Sequence, residues 1–213
     1  PAGRAPHRGR LDEIDGFVAS MFTEIPGRLA VTTAAFLRGD RKAAQRVVAA
    51  DEAIDFLQND VEDLVTQELL SRPCDEAEIR YLVTVLRIVP ELERSGDLVE
   101  HIALRTNPMI MSSLTPRAKE LIDAMGTTAA AMWRDAAGAY RARDLSAAER
   151  LRTEDDDLDS LHVELCDEFA SGVLSPSLAI ELGLVARFLE RLGDHAVNVT
   201  RRLAYLTLDV PVR

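Results

Sequence analysis

Hydrophobic positions return at helical spacing in nearly every window of this chain, and no stretch alternates with the period of two that marks a strand. The pattern predicts an all-α protein. Residues 11–38 set Leu11, Ile14, Phe17, Val18, Met21, Ile25 and Leu29 along one side, a first long helix in which Pro26 marks a kink or pause. Gly39-Asp40 then supplies a C-terminal glycine and an N-cap for a second helix over 41–71. Pro73-Cys74-Asp75 turns the chain into a third helix over 76–105, where Pro90 predicts a kink, and Thr106-Asn107-Pro108 ends it. Beyond a linker through Thr115-Pro116 the pattern starts again. Three further helices follow: 117–142, from after Asp144 to 171, and from Ser175-Pro176 to 206.

The halves match residue by residue. Asp40, Ala43, Ala44, Asp51 and Asp55 are answered at a constant offset of 104 by Asp144, Ala147, Ala148, Asp155 and Asp159. The phrase Glu93-Arg94-Ser95-Gly96-Asp97 is answered at an offset of 97 by Glu190-Arg191-Leu192-Gly193-Asp194. The shortfall of seven residues is about two helical turns, removable by shortening both arms of a hairpin without rotating their facing surfaces. We therefore expect two tandem, pseudo-symmetric three-helix bundles with six long helices, 11–107 and 108–213, behind a flexible N-terminal arm at 1–10.

Each copy of the Glu-x-x-x-Asp phrase is locally unfavourable. Like charges at i and i+4 cost a few tenths of a kcal/mol on an isolated helix, and a mid-helix glycine costs about 1 kcal/mol relative to alanine. A single such phrase is ordinarily solvated decoration paired with arginine, and Arg94 and Arg191 are at hand. Repetition in register changes the reading, because the middle helix of each half carries its own pair, Asp51 and Asp55 or Asp155 and Asp159. With the first hairpin turning near residue 73, Asp51 and Asp55 lie about as far behind the turn as Glu93 and Asp97 lie beyond it.

Four carboxylates on one level of a bundle repel unless protonated or neutralised, and a multivalent cation is the natural neutraliser. The candidate metal ligands are Asp51, Asp55, Glu93 and Asp97 in one half and Asp155, Asp159, Glu190 and Asp194 in the other. Oxygen-only donors suit Mg²⁺, Ca²⁺ or Mn²⁺ and tolerate iron, whereas structural zinc favours Cys or His. The glycine before the second carboxylate leaves room for a cluster or a neighbouring backbone. His101, His162 and His195 read as helix-surface residues before they read as ligands.

Net charge is -11 in 213 residues, which argues against nucleic acid as a partner. Two cysteines without CxxC spacing, Cys74 and Cys166, read as reduced thiols of a cytoplasmic protein. No apolar run is long enough to span a membrane, and residues 1–10 lack the apolar stretch of a signal peptide. There is no P-loop, no Gly-x-Ser-x-Gly and no Glu-x-x-His pair, so metal binding need not mean turnover.

The segments Leu92-Glu93-Arg94-Ser95-Gly96-Asp97 and Leu189-Glu190-Arg191-Leu192-Gly193-Asp194-His195-Ala196-Val197-Asn198 resemble the "LERxGDxA" signatures of the PhoU family, each late in a three-helix repeat. The resemblance implies a non-enzymatic, cytoplasmic negative regulator of phosphate uptake and the phosphate-starvation response, which reaches the membrane only through partners. Those partners would be a phosphate ABC transporter, through its ATPase component, and a phosphate-sensing histidine kinase. It also implies multinuclear sites for iron, Mn, Mg or Zn at the eight carboxylates. Gln58 and His162 stand where many members have glutamate, and Ser95 where isoleucine is common. A metal-dependent hydrolase or oxidase using the same clusters, or a metal-free helical adaptor, is the alternative. Self-association into a homodimer is left open.

Overall fold

A computed structural model describes residues 5–171 and 174–206, and within them all regular structure is helical. The helices are α1 (Ala5–Arg38), α2 (Arg41–Ala49), α3 (Glu52–Ser71), α4 (Glu76–Leu104), α5 (Pro108–Ser113), α6 (Pro116–Ala142), α7 (Ala147–Ser171) and α8 (Pro176–Leu203), followed by a 3₁₀ turn, Ala204–Leu206. Helices α1, α4, α6 and α8 pack on one another at the centre, α3 covers α1 and α4, and α7 covers α6 and α8.

The centre is shared by both halves. Phe22 of α1 stacks on Tyr140 of α6 with ring centroids 4.9 Å apart and meets Trp133 at 6.3 Å. The Trp133 indole N–H donates to the Leu192 carbonyl at 2.9 Å, so a fully buried aromatic keeps its one polar atom paired.

Helix starts follow the expected caps. Asp75 forms a capping box with Glu78, and Thr115 and Ser175 cap α6 and α8 ahead of Pro116 and Pro176 at the first helical position. Gly39 closes α1 at φ +65°, where a Cβ would also meet the Pro108 Cα at 2.9 Å. Its counterpart in the second half is Arg143 at φ +54°. That strained backbone is offset by an ion pair to Asp15 at 2.6 Å and by the guanidinium lying over the Tyr140 ring at 4.6 Å.

Three expectations change. The helix expected over 41–71 is divided, with Ala50 and Asp51 bonding three residues back to Val47 and Val48, because Asp51 turns toward α1. The segment expected to be an arm is helical from Ala5, and Arg10 is tied at 2.8 Å to the fully buried Glu68. The linker after Asn107 holds the short six-residue helix α5. Both α1 and α4 remain helical through Pro26 and Pro90. Residues 1–4 of the expected arm and 207–213 of the second repeat lie outside the described residues.

Candidate cation sites

In the first half, Asp55 from α3 and Glu93 and Asp97 from α4 bring one carboxylate oxygen each within 4.8 Å of one another. Partial burial raises the pKa of Glu93, with Asp97 and Asp55 adding to the effect and Arg94 opposing it. Asp97 is raised likewise, by burial and then by Asp51 and Asp55, against His101. Repulsion of this kind is what a cation relieves.

Asp51 stands differently. Its carboxylate accepts a bond from the Arg28 guanidinium of α1, which also donates to the Val47 carbonyl at 3.2 Å, and both partners are buried. The fourth carboxylate of the first cluster therefore carries its own counter-ion.

In the second half, Asp155 and Asp159 of α7 face Glu190 and Asp194 of α8. Burial, then Asp194 and Asp159, push Asp155 up to about 6. Burial and Asp194 push Glu190 up to about 6, although Arg187 bonds its Oε1. Asp155 Oδ1 and Glu190 Oε2 are buried with no hydrogen-bond partner among the described residues. Two such oxygens in one acidic groove could be satisfied by water or by a cation. No three of these carboxylates approach as closely as the trio of the first half, among the described residues.

Position 28 explains the contrast. At the offset of 104 its counterpart is Met132, whose Cε lies 3.4 Å from a Cβ placed on Gly193. The second half thus puts a thioether where the first puts a guanidinium. Glycine in both motifs serves close helix packing: a Cβ on Gly193 would lie 2.6 Å from both Asp155 Oδ1 and Leu158 Cδ2. On Gly96 it would lie 3.0 Å from Ile54 Cδ1 and 3.4 Å from Asp51 Oδ1.

The donor set fits a hard cation: all ligands are carboxylate oxygens, with no thiolate or imidazole in the trio. The histidines lie elsewhere. His195, expected at the surface, is buried between α4 and α8, its Nδ1 3.0 Å from Ser95 Oγ and 3.9 Å from Glu91. His101 lies against the Phe188 ring at 5.5 Å, and His162 Nε2 is 3.5 Å from Cys166 Sγ. Gln58 bonds Glu62, and both cysteines are free thiols. Sequence reasoning missed Arg28, Arg187 and Glu91. The signal for Arg28 was available in the offset of 104, which sets a basic residue against methionine.

An all-helical, duplicated bundle with a carboxylate groove between the last two long helices of each repeat defines a class of helical-bundle proteins rather than a reaction. The chain belongs to the PhoU family, whose PhoU domain matches residues 18–106 and 122–203. It is 32% identical over 174 residues to a phosphate-specific transport system accessory protein PhoU homolog of Caulobacter vibrioides, covering 78% of this chain and 74% of that one. The phosphate-specific transport system accessory protein PhoU homolog 1 of Mycobacterium tuberculosis is 29% identical over 213 residues, covering 97% of this chain and 95% of that one. The crystal structure of PhoU from Pseudomonas aeruginosa superimposes with a TM-score of 0.86 at 21% identity, over 93% of this chain and 97% of that one, a likeness of fold. Among the described residues no helix is long and apolar enough to cross a membrane.

Proposed function

We propose that this protein is a negative regulator of phosphate uptake and of the phosphate-starvation response, acting in the cytoplasm without catalysing a reaction. It docks on the ATPase component of a phosphate ABC transporter and on a phosphate-sensing histidine kinase, and its two acidic grooves hold multivalent cations. Membership of a family whose relatives are transport accessory proteins supports the pathway. The observation that carries the cation sites is the convergence of Asp55, Glu93 and Asp97, with the orphaned Asp155 and Glu190 oxygens in the second groove. Bound cations would neutralise the grooves, fix the packing of α3 on α4 and of α7 on α8, and so set the surface the partners meet.

Deleting the gene should leave a phosphate-starvation reporter active in high phosphate, and the wild-type gene should silence it again. A reporter that responds normally to phosphate in the deletion strain sinks the regulatory reading. For the cations, elemental analysis of natively purified protein should find bound metal that falls in Asp97→Asn and Asp194→Asn. Metal content unmoved by both changes would remove the clusters from the account.

A further inference from the structure

Between the two copies of the Glu-x-x-x-Asp motif, α4 and α8 leave a cleft of about 340 Å³, at the small end of the ~300–1,000 Å³ range of ligand sites. Its walls carry three guanidinium groups, Arg94, Arg187 and Arg191, against two carboxylates, Glu91 and Asp194. In a chain of net charge -11 this is a local excess of positive charge.

The carboxylates there are already committed. Glu91 Oε1 accepts from Arg202 at 3.0 Å, and its approach to Arg94 is only 3.9 Å. Asp194 faces the second acidic groove, where its charge acts on Asp155 and Glu190. Arg191 makes no ion pair or hydrogen bond among the described residues, and neither does the Asn198 amide on the cleft wall. Arg187 gives one nitrogen to Glu190 and keeps its remaining N–H groups. The buried His195, 3.0 Å from Ser95 Oγ, also lines the cleft.

A cation would be repelled here. Planar N–H forks and an amide on the walls of one cleft suit a tetrahedral anion, which can take two bonds from a fork. We propose that the cleft binds a small tetrahedral oxyanion, orthophosphate in the cell, through Arg94, Arg187, Arg191 and Asn198. Only the choice of phosphate as the natural ligand rests on the regulatory reading above. The anion seat itself rests on the arginines and adjoins the second carboxylate groove, with which it shares Asp194 and Arg187. Because Arg187 serves both Glu190 and the cleft, anion binding draws on the same guanidinium that partly neutralises the second groove.

Equilibrium dialysis of the metal-free protein against radiolabelled phosphate tests this, at low ionic strength because charge screening sets in over about 10 Å at 0.1 M salt. Saturable binding of one phosphate per chain, displaced by sulfate, is expected. Arg94→Gln and Arg191→Gln should each weaken it roughly tenfold, the loss of one charge-assisted contact. Arg117→Gln, on α6 beside Glu164 of α7 and not among the cleft's lining residues, should leave it unchanged. Because Arg94 and Arg191 are exposed, both variants should keep the wild-type melting temperature.

Absence of saturable binding to the metal-free wild type overturns the proposal, as does binding indifferent to both arginine changes. Capture of phosphatidic-acid vesicles without uptake of free phosphate also overturns it, since the seat would then be a lipid headgroup site. Any of these results leaves the reporter experiment above untouched, so the two readings fail separately.

Discussion

Where the first half sets the buried Arg28 against Asp51, the second sets Met132 beside Asp155 and gives the exposed Arg187 to Glu190 where the first half has Pro90, while the eight groove carboxylates are equivalent in pairs. One groove thus holds an internal cation and presents three gathered carboxylates. The other leaves Asp155 and Glu190 pushed up to about 6 with an unpartnered oxygen on each. Duplication preserved the fold and let the charge balance diverge, with a buried guanidinium at Asp51 in the first groove and an exposed one at Glu190 in the second.

Equivalent substitutions should therefore have opposite effects. Asp51→Asn leaves the buried Arg28 without its carboxylate and should cost about 3 kcal/mol, at the low end for a broken buried pair because Glu100 feels the same guanidinium. In a chain of this size that is a fall in Tm of ~6–12 °C, read by thermal denaturation. An unchanged Tm would break the comparison at its first element.

Gly193→Ala should come next. Overpacking of about 1–3 kcal/mol against Asp155 and Leu158 outweighs the ~1 kcal/mol of helix propensity gained. At Gly96 the looser contact with a flexible Ile54 methyl lets the two effects nearly cancel, so Gly96→Ala should melt close to wild type. Equal losses in the two variants would show that the grooves pack alike.

Asp155→Asn removes a carboxylate that burial and its neighbours disfavour, with no partner lost. The metal-free variant should be more stable than wild type at pH 7 by ~1 kcal/mol, a value kept small because the group is partly solvated. The same change should lower metal content. A destabilised metal-free Asp155→Asn would mean that its orphaned oxygen has a partner in solution.

The smallest effect is on pH dependence. Asp155 and Glu190 titrate higher folded than unfolded, so the metal-free native state binds more protons between their ordinary range and about 6. Stability from these two groups rises as pH falls through about 6 and is absent at pH 7 and above. Melting curves of metal-free protein should show a modest gain from pH 7 to pH 5.5, reduced in Asp155→Asn.

Much of this architecture could be read from the chain itself. Helix ends at Gly39, Pro116 and Pro176 follow local chemistry that few tertiary contacts override. The pairing of Asp55 with Glu93 and Asp97 follows from counting outward from the hairpin. The break at Asp51 could not be found that way, because it is caused by a side chain of α1, 23 residues upstream. His195 escaped for a similar reason. Its neighbours Ser95 and Glu91 come from the other repeat, and nothing in the local pattern of α8 says that α4 covers that face.

Trp133 is the only tryptophan of the chain, and its indole is bonded to the backbone of Leu192, between Arg191 and Gly193 of the second motif. The protein thus carries a single tryptophan fluorophore, wired by one bond to the segment that borders both the acidic groove and the arginine cleft. Its emission should register a shift of α8 against α6 when either is filled, making this molecule an optical reporter of its own occupancy with no label attached.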